Sequence, residues 1–336
     1  MTVQKYLVYL AVIVITSCWS LHATVSAQEL SLTPVALETP TVAEFPPGVL
    51  TVIPINSDME ETVSGPRELP DITRGIPDLD WQPNFSPKTR RLLDKAQSII
   101  LRRGIWNLEF AFKPVRMLNV DIPQPDGTME RNLVWYLAYR VTNRGHHLKP
   151  QTQQDPFGNE TFKDGYINHS IRFFPNLVLV DQETKRAYID QILPSAISAI
   201  ARREGLGNRL HSSVSISRQD IVTSTATADR SVWGVATWID VDPRIDFFSV
   251  FVTGLTNAYR YEEHAESFGS DQAPGTGRYF ERKTLQLNFW RPGDAIDENE
   301  REIRYGLPGV ADPVPEEVIF RLYDLTKRLD YQWIYR

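Results

Sequence analysis

The sequence predicts a mainly β fold, an antiparallel sandwich with a few peripheral helices. About eight stretches carry strand patterning, and Gly, Pro, Asn and Asp turns separate them. The helical stretches do not alternate strictly with the strands, which argues against a parallel α/β sheet.

The first residues set the compartment. Lys5 precedes an apolar run, Tyr6 to Ile15, that falls short of the roughly 20 residues needed to cross a bilayer as a helix. Val25-Ser26-Ala27 then supplies small residues for a cut before Gln28, so residues 1–27 are expected to be a signal peptide and the protein to be exported, periplasmic or extracellular. Ile15-Thr16-Ser17-Cys18 resembles a bacterial lipobox. On that alternative Cys18 is acylated and opens the mature chain, and its lipid is the expected route to a membrane. Cys18 is the single cysteine, so a chain cut after Ala27 has no disulfide, no thiolate catalysis and no cysteine-ligated zinc. An exported chain without staples must hold itself together through its core, and 42% hydrophobic and 11% aromatic residues supply one.

Removing Lys5, the one charged residue of residues 1–27, moves the formal net charge from −6 to −7. A nucleic-acid binder normally needs a basic face, and an anionic membrane attracts a polybasic one; neither partner is expected here.

Ten prolines fall between Gln28 and Arg90. Proline fixes φ and removes ladder donors, so residues 28–85 read as an extended linker with one short edge strand at Val49 to Ile55. The alternative is a segment wrapped along the body, with Trp81 and Phe85 as its docking residues. Residues 86–336 form the sandwich domain. Ser86-Pro87 caps a helix near 87–103, which Gly104 stops. From Ile105 the period drops to two, with Trp106, Leu108, Phe110 and Phe112 on one face. After the turn Pro123–Gly127, Leu133, Trp135, Leu137, Tyr139 and Val141 face one way and Val134, Tyr136 and Ala138 the other. A strand apolar on both faces is central in its sheet. Further strands are expected at Ile171–Val180, Arg186–Ile189, Val214–Ser217, Val232–Val241, Phe247–Tyr259 and Tyr279–Trp290. Helices are expected near 194–203 and 315–329, the latter with Glu316 and Glu317 in its first turn and Lys327 and Arg328 in its last. One large sandwich and two small ones both fit this length.

The segment Trp135–Gly145, an aromatic strand ending in Val-Thr-Asn, resembles the early core strand of exported bacterial immunoglobulin-like domains. Phe248–Asn257 and Leu285–Asp294 are similar to later strands of uncharacterised secreted proteins of planctomycete-like bacteria. The likeness covers about a third of the chain. It implies an immunoglobulin-like β-sandwich of unknown role and carries over no catalytic residue.

His146, His147 and His169, with Asp155 and Asp164 nearby in sequence, are the candidate metal ligands. Adjacent histidines in a strand point apart, and with no His-x-His or helical His-x-x-x-His spacing the ordinary reading is exposed loop histidines. Asp240, Asp242 and Asp246, with Asp294, Asp297, Glu298 and Glu300, suit calcium or simply keep turns soluble. His211-Ser212-Ser213 holds hydrolase atoms without a Gly-x-Ser-x-Gly elbow. Trp290 and Arg291, with Trp333 and Tyr335, are the candidate ligand residues: in a shallow groove they stack on sugar rings or clamp a peptide, whereas the ordinary place for large aromatics is the core. The expected function is an exported, non-enzymatic binding or structural module of the cell envelope, without cofactor, acting on an envelope protein or polysaccharide. The alternative is a hydrolase of envelope polysaccharide or peptide using carboxylates from separate loops.

Overall fold

The computed structural model describes residues 50–64, 102–158, 160–263, 278–292, 303–309 and 314–336. The leader with Cys18, most of the proline-rich stretch with Trp81 and Phe85, and all but the end of the helix expected near 87–103 lie outside them. So do Asp294, Asp297, Glu298 and Glu300.

The chain is mainly β. It runs through β1 (Thr51–Ile53), β2 (Glu109–Phe112), β3 (Arg116–Pro123), β4 (Met129–Thr142), β5 (Asn176–Asp181) and β6 (Ala187–Ile189). Helix α1 (Pro194–Arg203) and β7 (Leu210–His211) follow, then the short helix α2 (Ser213–Ile216) and β8 (Val232–Trp238). β9 (Phe247–Thr253), β10 (Tyr259–Glu263), β11 (Arg278–Trp290), β12 (Arg304–Tyr305), α3 (Glu316–Tyr323) and β13 (Tyr331–Tyr335) complete it.

Among the described residues these strands form two main sheets. The first has the order β1-β2-β4-β8-β7, with β3 also on β4; the second has β6-β5-β9-β11-β10, with β12 and β13 also on β11. Pairing is antiparallel except for the short parallel contact of Leu210 and His211 with Trp233 and Gly234. Both sheets contribute to one aromatic core. Phe110, Phe112, Trp135, Leu137 and Tyr139 of the first meet Leu177, Leu179, Phe248, Val250, Leu285, Leu287 and Phe289 of the second. The Trp135 and Phe248 rings meet edge to face at 5.6 Å, and Phe248 stacks on Phe289 at 5.3 Å. The described residues all fall within one compact unit.

Strand β4 behaves as its double periodicity requires. Trp135, Leu137, Tyr139 and Val141 enter the shared core, while Val134, Tyr136 and Ala138 pack outward against Ala196, Ile200 and Ala201 of α1. The outer face of the second sheet is covered by α3, where Ile319 and Tyr323 pack on Phe247 and Trp290. A polar row lies beside them: Gln286 and Asn288 donate to the Tyr323 and Leu329 carbonyls, and Asn288 accepts from Ser249.

One departure from regular pairing positions a buried charge cluster. Phe112 lies opposite Tyr139 and Arg116 opposite Tyr136, so the edge advances one residue more than the centre, which is a β-bulge. The bulge holds Pro114, which has no N–H to give the ladder. Its consequence is that Lys113 and Arg116, three residues apart, both reach Glu204.

Several expected elements are corrected. Val214–Ser217, read as a strand, is a helical turn because Ser212 caps it, its Oγ accepting from the Ser215 amide at 3.1 Å. The last helix stops at Tyr323 instead of Leu329. Asp324 takes a left-handed φ of 56°, and the Leu325 amide bonds back to the Phe320 carbonyl at 2.8 Å, a Schellman closure. That frees residues 331–335 to form β13 against β11. Phe247–Tyr259 breaks after Thr253, where Gly254 has a φ of 98° and a Cβ would meet the Phe174 carbonyl oxygen at 2.3 Å. Ile171–Val180 divides into Ile171–Arg172 and β5, with Pro175 between. The short edge strand expected at Val49 to Ile55 is present as β1, which pairs with β2, and Ile53 is buried in the core. Arg102 forms a bridge with Val63. Among the described residues no helix is long and apolar enough to cross a membrane.

Candidate functional site

A cleft of about 820 Å³ opens at one end of the second sheet, and its lining includes Trp333 and Tyr335. Its floor is β11 at Lys283, a central position: the Lys283 amide donates to the Ala258 carbonyl on one side, and Tyr335 of β13 pairs with it on the other. Strand alternation puts Lys283 in the row of Leu285 and Leu287, a lysine continuing an apolar row. Tyr259 and Tyr261 of β10 border the cleft from the other edge of β11. The facing wall is the segment from Asn56 to Val63, folded into a 3-10 turn at Met59–Thr62. Asp58 and Glu61 close that turn as a capping box, each side chain accepting a backbone N–H of the other's end.

Glu61 ties the wall to the floor. Its Oε1 accepts from Lys283 Nζ at 2.5 Å and from the Tyr335 hydroxyl at 2.7 Å, and Lys283 Nζ also donates to the Asn56 carbonyl at 2.5 Å. Burial, and next the Glu61 carboxylate, push the Tyr335 phenol up to about 12. The rings carry cations of the protein itself. Arg260 lies 4.0 Å from the Tyr335 ring centre, Arg103 3.4 Å from that of Tyr259 and Lys283 Nζ 5.5 Å from that of Trp333. Asn56, Asp58 and Glu60 are exposed at the rim.

Trp290 and Arg291 do not join this cleft. Alternation in β11 turns Trp290 toward α3, with Arg304 5.2 Å from its ring, and Arg291 turns inward, its guanidinium 5.8 Å from the Trp135 ring and bonded to the Pro243 carbonyl. Both are interior residues.

A second charged group lies under α1. Glu204, directly after the helix, accepts from Lys113 Nζ at 2.5 Å, Arg116 Nη1 at 3.1 Å and the Tyr136 hydroxyl at 2.8 Å. A carboxylate at a helix C-terminus opposes the macrodipole, and the two cations offset it. Burial pushes Glu204 up, but the bonds from Lys113 and Tyr136 and the charge of Arg116 outweigh it and hold the carboxyl below its ordinary range. Burial, then the Glu204 charge, raises the Tyr136 phenol.

The histidines are not all exposed loop residues, because adjacent positions on a strand point apart and His147 turns inward. His147 is 2% exposed, with its ring 4.7 Å from that of His169 and edge on; burial, and next His169, hold it down to about 4. His146 is exposed with a φ of 54°, its amide bonded to Asn168 Oδ1 at 2.7 Å and its ring 6.0 Å from Tyr166. Among the described residues no group of three His, Cys, Asp or Glu is placed to hold a metal. Asp242 is engaged by Arg244 at 2.9 and 3.0 Å, which holds its carboxyl down to about 2. Ser213 donates to Asp190, not to His211, whose Nδ1 lies 3.3 Å from Ser215 Oγ. The three groups therefore form no relay. Asp190 also accepts from the Thr237 amide at 2.7 Å, and burial pushes it up to about 6 despite these bonds.

The cleft residues that the sequence conceals are Asn56, Asp58, Glu60, Glu61, Tyr259, Arg260, Tyr261 and Lys283. Three signals point toward them: Asp58-x-x-Glu61 as a capping box, Tyr259-x-Tyr261 at strand spacing, and a lysine in phase with Leu285 and Leu287. Comparison of the chain with family models, with curated proteins and with solved structures gives no match.

Proposed function

We propose that the chain is an exported, non-enzymatic binding module of the cell envelope, an immunoglobulin-like sandwich that seats its ligand in the cleft between residues 56–63 and strands β10, β11 and β13. The cleft carries this reading. Its volume of about 820 Å³ is in the range of ligand sites, and it combines aromatic walls with a few fixed polar groups. Two antiparallel sheets closing on one aromatic core, with Trp135 at its centre, support the sandwich. Export rests on the leader pattern, and an acylated Cys18 supplies the membrane tether in one form of the protein.

The hydrolytic alternative requires carboxylates facing each other across the scissile bond, about 5–10 Å apart. The described carboxylates of the cleft, Asp58, Glu60 and Glu61, share one short segment, and Glu61 is bonded to Lys283 and Tyr335. That arrangement supports binding over hydrolysis.

Two measurements test the reading. Mass spectrometry of the mature N-terminus is expected to find Gln28 free or Cys18 acylated; an intact leader on the cellular protein refutes export. Purified protein is expected to co-sediment with isolated envelope sacculi, and Tyr261→Ala to sediment less. Equal sedimentation of both proteins removes the cleft from the function.

A further inference from the structure

We propose that the ligand of this cleft is an uncharged glycan chain; the inference rests on the cleft being the ligand seat, as argued above. Charge complementarity excludes the main competitors in turn. A cationic ligand seeks open aromatic faces, but Tyr259, Tyr335 and Trp333 are already approached by Arg103, Arg260 and Lys283. A guest ammonium would meet Arg260 and Lys283 in the lining, which offset the attraction of Asp58 and Glu60 at the rim. A polyanion seeks free cations, and here Lys283 is committed to Glu61 and the Asn56 carbonyl while Arg260 lies over Tyr335. The exposed carboxylates Asp58 and Glu60 at the rim, on a chain of net charge −6, repel it further.

A peptide added as an extra strand needs unpaired backbone. The floor offers none, because β11 at Lys283 is bonded toward both neighbours. What the cleft does present is flat ring surface beside amide and carboxylate side chains. A sugar ring matches that combination, with an apolar C–H face for the rings and a hydroxyl rim for Asn56, Asp58 and Glu60.

Calorimetric titration with cellohexaose, N-acetylchitohexaose and mannohexaose tests this, beside dextran sulfate as polyanion and a tetralysine peptide as polycation. Saturable one-to-one binding of at least one neutral hexamer is expected, unchanged between about 0.05 and 0.5 M salt. Asn56→Ala is expected to weaken it about tenfold while keeping the wild-type melting temperature, and Tyr261→Ala to weaken it similarly in a protein that still unfolds cooperatively. Asn56→Ala keeps the backbone carbonyl that Lys283 uses, so it separates lost recognition from lost folding. Preference for dextran sulfate or tetralysine, or neutral binding untouched by both variants, overturns the proposal. If the protein sediments with sacculi through the cleft yet binds no neutral hexamer, the glycan inference falls and the binding reading stands. If neither occurs, both fall.

Discussion

Under α1 and again in the cleft, the molecule assembles the same parts: a lysine 2.5 Å from a glutamate, a tyrosine hydroxyl on that glutamate, and a tryptophan ring near the lysine. In the first, Lys113 and Tyr136 hold Glu204 and the Trp233 ring centre is 5.9 Å from Lys113 Nζ. In the second, Lys283 and Tyr335 hold Glu61 and the Trp333 ring centre is 5.5 Å away. Their surroundings differ. Both lysine–glutamate pairs are buried, and the difference lies around them: Tyr136 and Arg116 are buried beneath the helix, whereas Tyr335 is half-buried and Arg260 exposed. Enclosed on all sides, the set fastens a helix to a sheet; with one wall missing, it shapes a surface that a ligand can reach.

The largest effect should come from the enclosed set. Glu204→Gln removes the carboxylate that two buried cations share and is expected to cost about 3–5 kcal/mol in urea unfolding. A loss no greater than that of the cleft mutant would erase the distinction between the two places. Glu61→Gln leaves Lys283 its bond to the Asn56 carbonyl and stands beside the cleft, so about 1–3 kcal/mol is expected from the same measurement.

Asp190 sharpens the contrast because its donors are a hydroxyl and an amide rather than cations. Its folded carboxyl, raised to about 6 from 3.8, favours the fold at low pH and loses that contribution as pH rises through 6. Glu204, lowered in the fold, has the opposite sign: its contribution is full above the ordinary value of 4.5 and is lost as pH falls below it. Asp190→Asn is therefore expected to be more stable than wild type by about 1 kcal/mol at pH 7, with the gap closing by pH 4 in parallel denaturation series. A gap that widens on acidification contradicts the assignment. The smallest effect is expected at Arg144, whose pair with Glu109 at 2.7 Å is 46% exposed on the arginine side. Arg144→Ala should cost about 0.5 kcal/mol, and less in high salt.

The difference between legible and hidden features follows from phase. The alternation from Leu133 to Val141 survives folding intact, so the two faces of β4 can be read directly. Lys113 and Arg116 cannot: three residues apart on a regular strand they point to opposite faces, and the bulge at Pro114 brings both to Glu204. Trp333 and Tyr335 stand out as aromatic residues, but extending the helix to Leu329 conceals the strand Tyr331-x-Trp333-x-Tyr335 that aims them. The helix end depends on Asp324 adopting a left-handed backbone, a choice to which aspartate gives only a weak bias. Glu61 carries no sign of its partners at all, since nothing local specifies a contact with Lys283.

That contact has a consequence for when the protein becomes competent. Glu61 finds Lys283 222 positions away and Tyr335 274 away, so the cleft unites early and late parts of the chain. Contacts of such sequence separation raise the contact order of the fold, which slows folding. A chain clipped before β13 would lose Trp333 and Tyr335 from the cleft lining and the strand that pairs with β11 beside Lys283. On the proposed reading, a guest in the cleft would act as a clasp across those distant segments and delay their separation by proteases.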